Sequence, residues 1–120
     1  MEKPELLKNI VFAQPLDLNG LVEYQQGQVV SRTLAQNNFL SLTLFAFEAG
    51  EGISAHTVSA DALVHIFDGE AEVNIDGQVM TVAAGQVVAM PAGKPHGLTA
   101  RKRFKMLLTV VRPPQQTLSL

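Results

Sequence analysis

Cysteine is absent from this chain of 120 residues. Its absence excludes disulfide bonds, zinc sites built on cysteine and a thiol nucleophile. Charged residues make up only 17% of the chain, and the net charge of −2 gives no reason to expect binding to nucleic acid. One local basic run, residues 101–105, is interpreted as a solvated loop and strand start rather than as a polyanion site.

Long apolar runs and targeting signals are also missing. No apolar run approaches the ~20 residues that a membrane helix needs, so no membrane association is predicted. The first six residues contain no cationic segment followed by an apolar one, and a cytoplasmic location is therefore predicted. Glycine-rich phosphate motifs are absent, and no Gly-x-Ser-x-Gly elbow surrounds Ser54 or Ser59, which argues against nucleophilic catalysis.

Apolar residues make up 47% of the chain, enough to fill the core of one domain. We divide that domain into an N-terminal helix or arm with the first strands (residues 1–35), a barrel core (36–112) and a C-terminal tail (113–120). Residues 2–12 show helical spacing of apolar side chains, with Pro4 near the first turn, and are the only plausible helix. A segment this short must dock on something else to be stable.

From about Val22 onward the apolar pattern has the period of two that is typical of strands. Asp76-Gly77 is the strongest hairpin signal, and residues 35–38 form a second turn. About nine short strands at regular spacing predict an all-β antiparallel barrel or sandwich. Seven of these strands are given bounds, at residues 28–34, 39–47, 63–67, 70–75, 78–82, 87–90 and 104–111.

The strand at residues 39–47 is apolar on both faces. Leucines and Ala46 share one face, and phenylalanines occupy the other. This pattern predicts burial on both sides, as when a barrel wall is covered by another sheet or by a second subunit.

Three histidines are the main candidates for chemistry. His56 and His96 each follow a turn that contains glycine, and loop ends beside a rigid sheet are common places for function. In a barrel the intervening hairpins allow the two to meet. The alternative is structural: His56 bonds across a loop, and His96 fixes a turn. His65, within an apolar strand, is interpreted as an interface or half-buried residue.

Residues 40–111 resemble the cupin family, whose members are small jelly-roll β-barrels. The first cupin motif is Gly-x₅-His-x-His-x₃₋₄-Glu-x₆-Gly, and the second is Gly-x₅-Pro-x-Gly-x₂-His-x₃-Asn. The positions that match are Gly50, His56, Gly69, Gly85, Pro91, Gly93 and His96. The second His, the Glu and the Asn are replaced by Val58, Ala62 and Ala100. The resemblance implies an RmlC-like jelly-roll barrel, or double-stranded β-helix, with an incomplete metal-binding motif.

A metal site in this barrel would have to use His56 and His96. Histidines at i and i+2 of a strand point to the same face, but Val58 removes that pair and Ala62 removes the carboxylate. Strand parity turns Asp61 and His65 away from the face of Ala62. Because catalytic sites usually have three protein ligands, a divalent ion (Zn, Ni, Fe or Mn) is expected to bind weakly, and no cofactor is required.

The barrel interior is therefore predicted to be an apolar pocket for a small molecule. Its candidate lining residues are Phe45, His56, Val58, Ala62, Val64, Met90 and His96. Alternatively, large side chains fill the barrel. Two functions follow: a non-catalytic protein that binds an apolar or carbonyl-bearing molecule against the two histidines, or a metal-dependent dioxygenase or isomerase that uses them as ligands. A sensor domain acting through a partner is a third possibility.

Self-association is predicted from the outer apolar surface of residues 28–34 and 39–47. If exposed, this surface would be a larger apolar patch than monomeric soluble proteins usually show. We predict a two-fold homodimer, as the resemblance also implies, and exchange of the N-terminal strands between subunits is one form of it.

Overall fold

The computed structural model describes residues 6–114, and these form an antiparallel barrel of eight strands. A 3₁₀ helix at Leu18–Leu21 precedes the strands. The strands are β1 (Val29–Gln36), β2 (Leu40–Phe47), β3 (Gly52–His56), β4 (Asp61–Ile75), β5 (Gln78–Ala83), β6 (Val87–Met90), β7 (His96–Thr99) and β8 (Phe104–Val111). The predicted all-β jelly-roll barrel is confirmed. No helix within residues 6–114 has the length and hydropathy needed to cross a membrane.

Strand β4 joins the two walls of the barrel. Its first half pairs with β6 and β8 in a sheet that continues to β2 and β1. Its second half pairs with β5 and β7, and β7 pairs with β3, in the opposing sheet. The two strands predicted at 63–67 and 70–75 are therefore one strand. A register shift against β8 lies between Ile66 and Asp68, and Gly69, just after it, adopts a φ of 70° that glycine tolerates without strain.

Strand β2 is buried on both faces. Phe45 and Phe47 pack in the main core, where the ring of Phe47 stacks on Phe104 with a centroid distance of 4.6 Å. Leu44 and Ala46, on the opposite face, belong to a second cluster. Residues from before β1 cover that cluster, so its cover comes from the same chain and needs neither a further sheet nor a second subunit. They are Ile10, Leu18, Leu21, Val22 and Tyr24.

The N-terminal segment is an arm over its described residues. Residues 6–12 form bends and no helix, so the helical alternative is wrong there, while residues 2–5 of that predicted helix lie outside the described residues. The positive φ values of Asn9 (59°) and Ala13 (63°) are incompatible with a continuous helix. The arm instead bonds to β1: the Lys8 amide donates to the Leu34 carbonyl at 2.8 Å, and Asn9 Nδ2 donates to the Thr33 carbonyl at 2.8 Å.

A polar cluster around Tyr24 fastens the segment before β1 to the barrel. The Tyr24 hydroxyl donates to Asp68 Oδ2 at 2.6 Å, and burial together with this bond raises the pKa of Tyr24. The cations of Arg103 and Lys105 lie 4.4 and 5.0 Å from the centre of the Tyr24 ring. Lys105 is buried and donates to the Asn19 carbonyl at 2.7 Å, which gives one of its N–H donors a partner inside the fold.

Candidate functional site

A cavity of about 690 Å³ lies between the two sheets. Strands β3, β4, β6, β7 and β8 and the loops beside them contribute side chains to its wall, and most of these are apolar. The lining residues are Asn38, Ile53, His56, Val58, Ser59, Ala60, Ala62, Met90, His96, Leu98, Leu108, Val110, Arg112, Pro113 and Pro114. A volume of ~300–1,000 Å³ and a mainly apolar wall are typical of small-molecule sites.

Strand alternation explains which side chains reach the cavity. Leu108 and Val110 lie two residues apart on β8, so they share one face of the strand, and that face continues to Arg112. In the neighbouring strands, Ala62 pairs with both Val110 and Met90. The first sheet therefore offers one continuous wall to the cavity.

Five of the seven predicted pocket residues lie on this cavity: His56, Val58, Ala62, Met90 and His96. Val64 and Phe45 do not. Val64 is fully buried in the main core, and the Phe45 ring packs against Phe47 at 5.7 Å. Large side chains fill the part of the barrel next to the cavity. The interior is therefore partly an open pocket and partly filled by side chains, so each of the two predicted alternatives holds for one part of it.

The two cavity histidines face each other across paired strands. His56 at the end of β3 and His96 at the start of β7 are direct register partners. Their ring centroids are 4.7 Å apart, with the ring planes inclined by 59°. His96 is only 5% exposed, whereas His56 is exposed at the rim. A ligand in the cavity therefore meets one buried and one accessible imidazole.

The hydrogen bonds of the two rings determine what they offer to a ligand. His56 Nδ1 lies 3.0 Å from the Ser54 carbonyl, and His96 Nδ1 lies 3.2 Å from the Lys94 carbonyl. A carbonyl oxygen only accepts, so each Nδ1 carries a proton and donates it. In the neutral imidazoles, each Nε2 is then left with a lone pair. The pair offers two acceptors to a hydroxyl or an N–H group.

A metal ion that needs three protein ligands does not fit the side chains present. Val58 and Ala62 line the cavity without a donor atom. Asp61 lies beside a neighbouring depression, where its Oδ1 accepts from the Ala92 amide at 2.7 Å, and His65 lies on the face of β4 opposite Ala62. Within residues 6–114, no three His, Cys, Asp or Glu side chains cluster as a metal site requires.

Arg112 is the charged cavity residue that the sequence analysis missed. Its Nη1 donates to the Asn37 carbonyl at 3.1 Å, and its Nη2 donates to Ser41 Oγ at 2.6 Å. The alternation of the strand could have identified Arg112. Leu108 and Val110 share one face of β8, and Arg112, two residues further on, continues that face past the end of the strand. The following Pro113-Pro114 suggested a strand terminus and nothing more.

A direct comparison with protein families agrees with the two-sheet barrel, its glycine-bounded strands and its histidine pair. The family described as the cupin domain matches residues 43–111, which is more than half of the chain. The chain belongs to the cupin family. None of the curated proteins compared matches this cupin.

Solved structures agree with this assignment. A conserved protein of unknown function from Streptococcus pyogenes is 42% identical, with a TM-score of 0.91 over 95% of this chain and 100% of that one. A cupin superfamily protein from Desulfitobacterium hafniense is 36% identical, with a TM-score of 0.84 over 89% of this chain and 98% of that one. An RmlC-like cupin from Desulfovibrio desulfuricans is 24% identical (TM-score 0.69, 82% and 96% covered) and is similar in fold alone.

Proposed function

We propose that this cupin binds a small, largely apolar molecule in the cavity and holds a hydroxyl or N–H group of that molecule between His56 and His96. The observation that carries the proposal is the pairing of two Nε2 acceptors with an otherwise mainly apolar wall of about 690 Å³. The apolar wall supplies affinity by removing ligand surface from water, and the imidazoles orient the ligand.

The hydrogen bonds of the two histidine Nδ1 atoms narrow the class of ligand that was predicted from the sequence. A carbonyl-bearing molecule would need a donor, and neutral rings whose Nδ1 atoms donate to backbone carbonyls have none left. A ligand O–H or N–H group satisfies an Nε2 that would otherwise lose water when the cavity is filled. The proposal requires no cofactor.

A matched pair of probes tests this proposal. We expect 4-propylphenol to bind about three- to tenfold more tightly than 4-propylanisole, which lacks the O–H donor, because one net hydrogen bond contributes roughly that ratio. His56→Leu/His96→Leu, which lacks both acceptors, should remove this preference, and His65→Leu, on the face of β4 opposite Ala62, should keep it. The dissociation constants are measured by isothermal titration calorimetry.

The filling variant Val58→Phe serves as the site control. It should abolish binding of both probes because Val58 lines the cavity. Failure of both probes to bind the wild type, or unchanged binding to Val58→Phe, would remove the proposal.

A metal-dependent enzyme, such as a dioxygenase or isomerase, is the second candidate, since the two free Nε2 atoms are also possible metal ligands. Elemental analysis of untagged protein purified without chelator separates the two candidates. We expect metal well below one ion per chain. A nearly stoichiometric ion that is lost in both His56→Ala and His96→Ala would replace the binding proposal with the enzymatic one.

We also propose that two copies of the chain associate as a homodimer. The support is a set of exposed apolar side chains on the arm, among them Leu6, Val11 and Phe12, which are 82%, 56% and 62% exposed, beside the edge strand β1. Sedimentation at micromolar concentration should give twice the 13.0 kDa of one chain. Phe12→Ser should shift the population toward monomer, and a single species of one-chain mass in the wild type would exclude the dimer.

The cytoplasmic location stays a prediction.

A further inference from the structure

We propose that the ligand is a carboxylic acid whose carboxylate binds Arg112 at the mouth of the cavity. This inference rests on the proposed function, because it assigns the second polar end of the same ligand. The residues that carry it are Arg112 and the cavity wall between it and the histidine pair.

Arg112 and the histidines occupy opposing walls. Arg112 follows β8 in the first sheet, whereas His56 and His96 belong to β3 and β7 of the second sheet. Leu108 and Val110 precede Arg112 on the same face of β8 and line the space between. A molecule with one polar group at each end and an apolar body matches this arrangement.

The guanidinium of Arg112 is held in place before any ligand arrives. Its bonds to the Asn37 carbonyl and to Ser41 Oγ use two of the five N–H donors of an arginine. Ser41 is itself buried, with 9% of its surface exposed. The guanidinium is planar and already oriented, and its other N–H groups remain able to donate. It can therefore bind a carboxylate with little loss of side-chain entropy.

The charges around the cavity favour an anion. No Asp or Glu is among the residues that line it, and the ion pairs found within residues 6–114 use other cations: Lys94, Arg101, Lys102 and Arg103. Asp61, the register partner of Val111, lines the neighbouring depression that Arg112 also borders, and its Oδ1 accepts from the Ala92 amide. Arg112 therefore presents a positive charge to a mainly apolar space, where its attraction for an anion is stronger than in water.

The number of cations in the wall indicates the type of anion. Arg112 is the only Lys or Arg among the described lining residues, and an imidazole whose Nδ1 donates to a backbone carbonyl offers, in its neutral form, an acceptor at Nε2 rather than a donor. One guanidinium neutralises a monocarboxylate, whereas a phosphate dianion would keep uncompensated charge in an apolar cavity. The ligand class is therefore a monocarboxylic acid with an apolar body and a hydroxyl or N–H group at the far end.

Two isosteric probes test the assignment: 3-(4-hydroxyphenyl)propionate and its neutral amide. We expect wild-type protein to bind the carboxylate about tenfold or more tightly than the amide, as for a charge-assisted bidentate hydrogen bond. Arg112→Gln should reduce this ratio to about one and leave the affinity for the amide within about twofold. Arg101→Gln removes an exposed arginine that pairs with Glu72 outside the cavity, and it should keep the wild-type ratio.

The outcomes distinguish the two proposals. Amide binding that is lost in Val58→Phe, together with an unchanged carboxylate ratio in Arg112→Gln, would overturn the assignment of Arg112 while the proposed function stands. If neither probe binds the wild type, both proposals fail. Binding of the amide to Arg112→Gln also reports that this variant is folded, so a lost carboxylate preference cannot come from unfolding.

Discussion

Replacing Gly69 with alanine should destabilise the protein by about 3 kcal/mol or more, combining a strained backbone with a steric clash. Gly69 has a φ of 70°, and an added Cβ would overlap with the Arg103 carbonyl oxygen. That oxygen belongs to the backbone, so no side chain can rotate away to make room. The site lies where β4 passes from one wall of the barrel to the other, and relaxation would disturb the pairing of β4 with β8.

Gly27→Ala is the matched control. Gly27 has a φ of 69°, but an added Cβ would have no heavy atom within 4 Å. This variant should lose only the conformational term, about 1–2 kcal/mol. The free energy of unfolding is measured by urea denaturation of both variants and the wild type. Equal losses in the two variants would show that the close approach to Arg103 carries no energetic weight.

Restoring the two missing motif residues should create a metal site. In Val58→His/Ala62→Glu, the new side chains project into the cavity that His56 and His96 also line. Two further ligands complete the four donors of a tetrahedral site. Losing a residue that only hydrogen-bonds to a metal ligand changes metal affinity by roughly 10- to 100-fold. Because the new residues bind the metal directly, the affinity for Zn²⁺ or Ni²⁺ should rise by more than that. Competition with a chromogenic chelator measures the dissociation constants of wild type and variant.

The isosteric control is Val58→His/Ala62→Gln, which keeps the volume and removes the charge. Ala62 is only 5% exposed, so without metal the carboxylate at this position should lower the melting temperature, and Zn²⁺ should restore it. The Gln variant should show a smaller loss and a weaker recovery. An unchanged Zn²⁺ affinity in the Glu variant would mean that positions 58 and 62 do not converge with the histidines.

Local patterns were sufficient for several elements of the fold. The bounds of β6 and β8 agree with the sequence because Pro91 and Pro113 end strands whose apolar runs are unambiguous. The Asp76-Gly77 hairpin is present, with positive φ at both residues, as a two-residue turn between β4 and β5 requires. Each of these features depends on residues that are neighbours in the chain.

Features that depend on distant contacts were harder to predict. Strand β4 continues through Asp68-Gly69 because both residues pair with β8, opposite Lys105 and Phe104. The outer face of β2 is covered by residues around Leu18 and Val22, a contact that apolar alternation cannot assign to one partner. The same holds for the site. Strand parity separated Ala62 from Asp61 and His65, but the burial of Val64 in the core depends on how several strands pack together.

The sequence by itself determined an all-β cupin barrel and a motif that keeps two histidines while losing the other ligands, since strand period, turn residues and motif spacing are local properties. Only the tertiary structure decided that the imidazoles of His56 and His96 lie 4.7 Å apart, and that Arg112 occupies the opposing wall. It also decided that their cavity stays open beside a filled core. These facts depend on the pairing of β3 with β7 and on the spacing between two sheets, which are set by contacts across the whole chain.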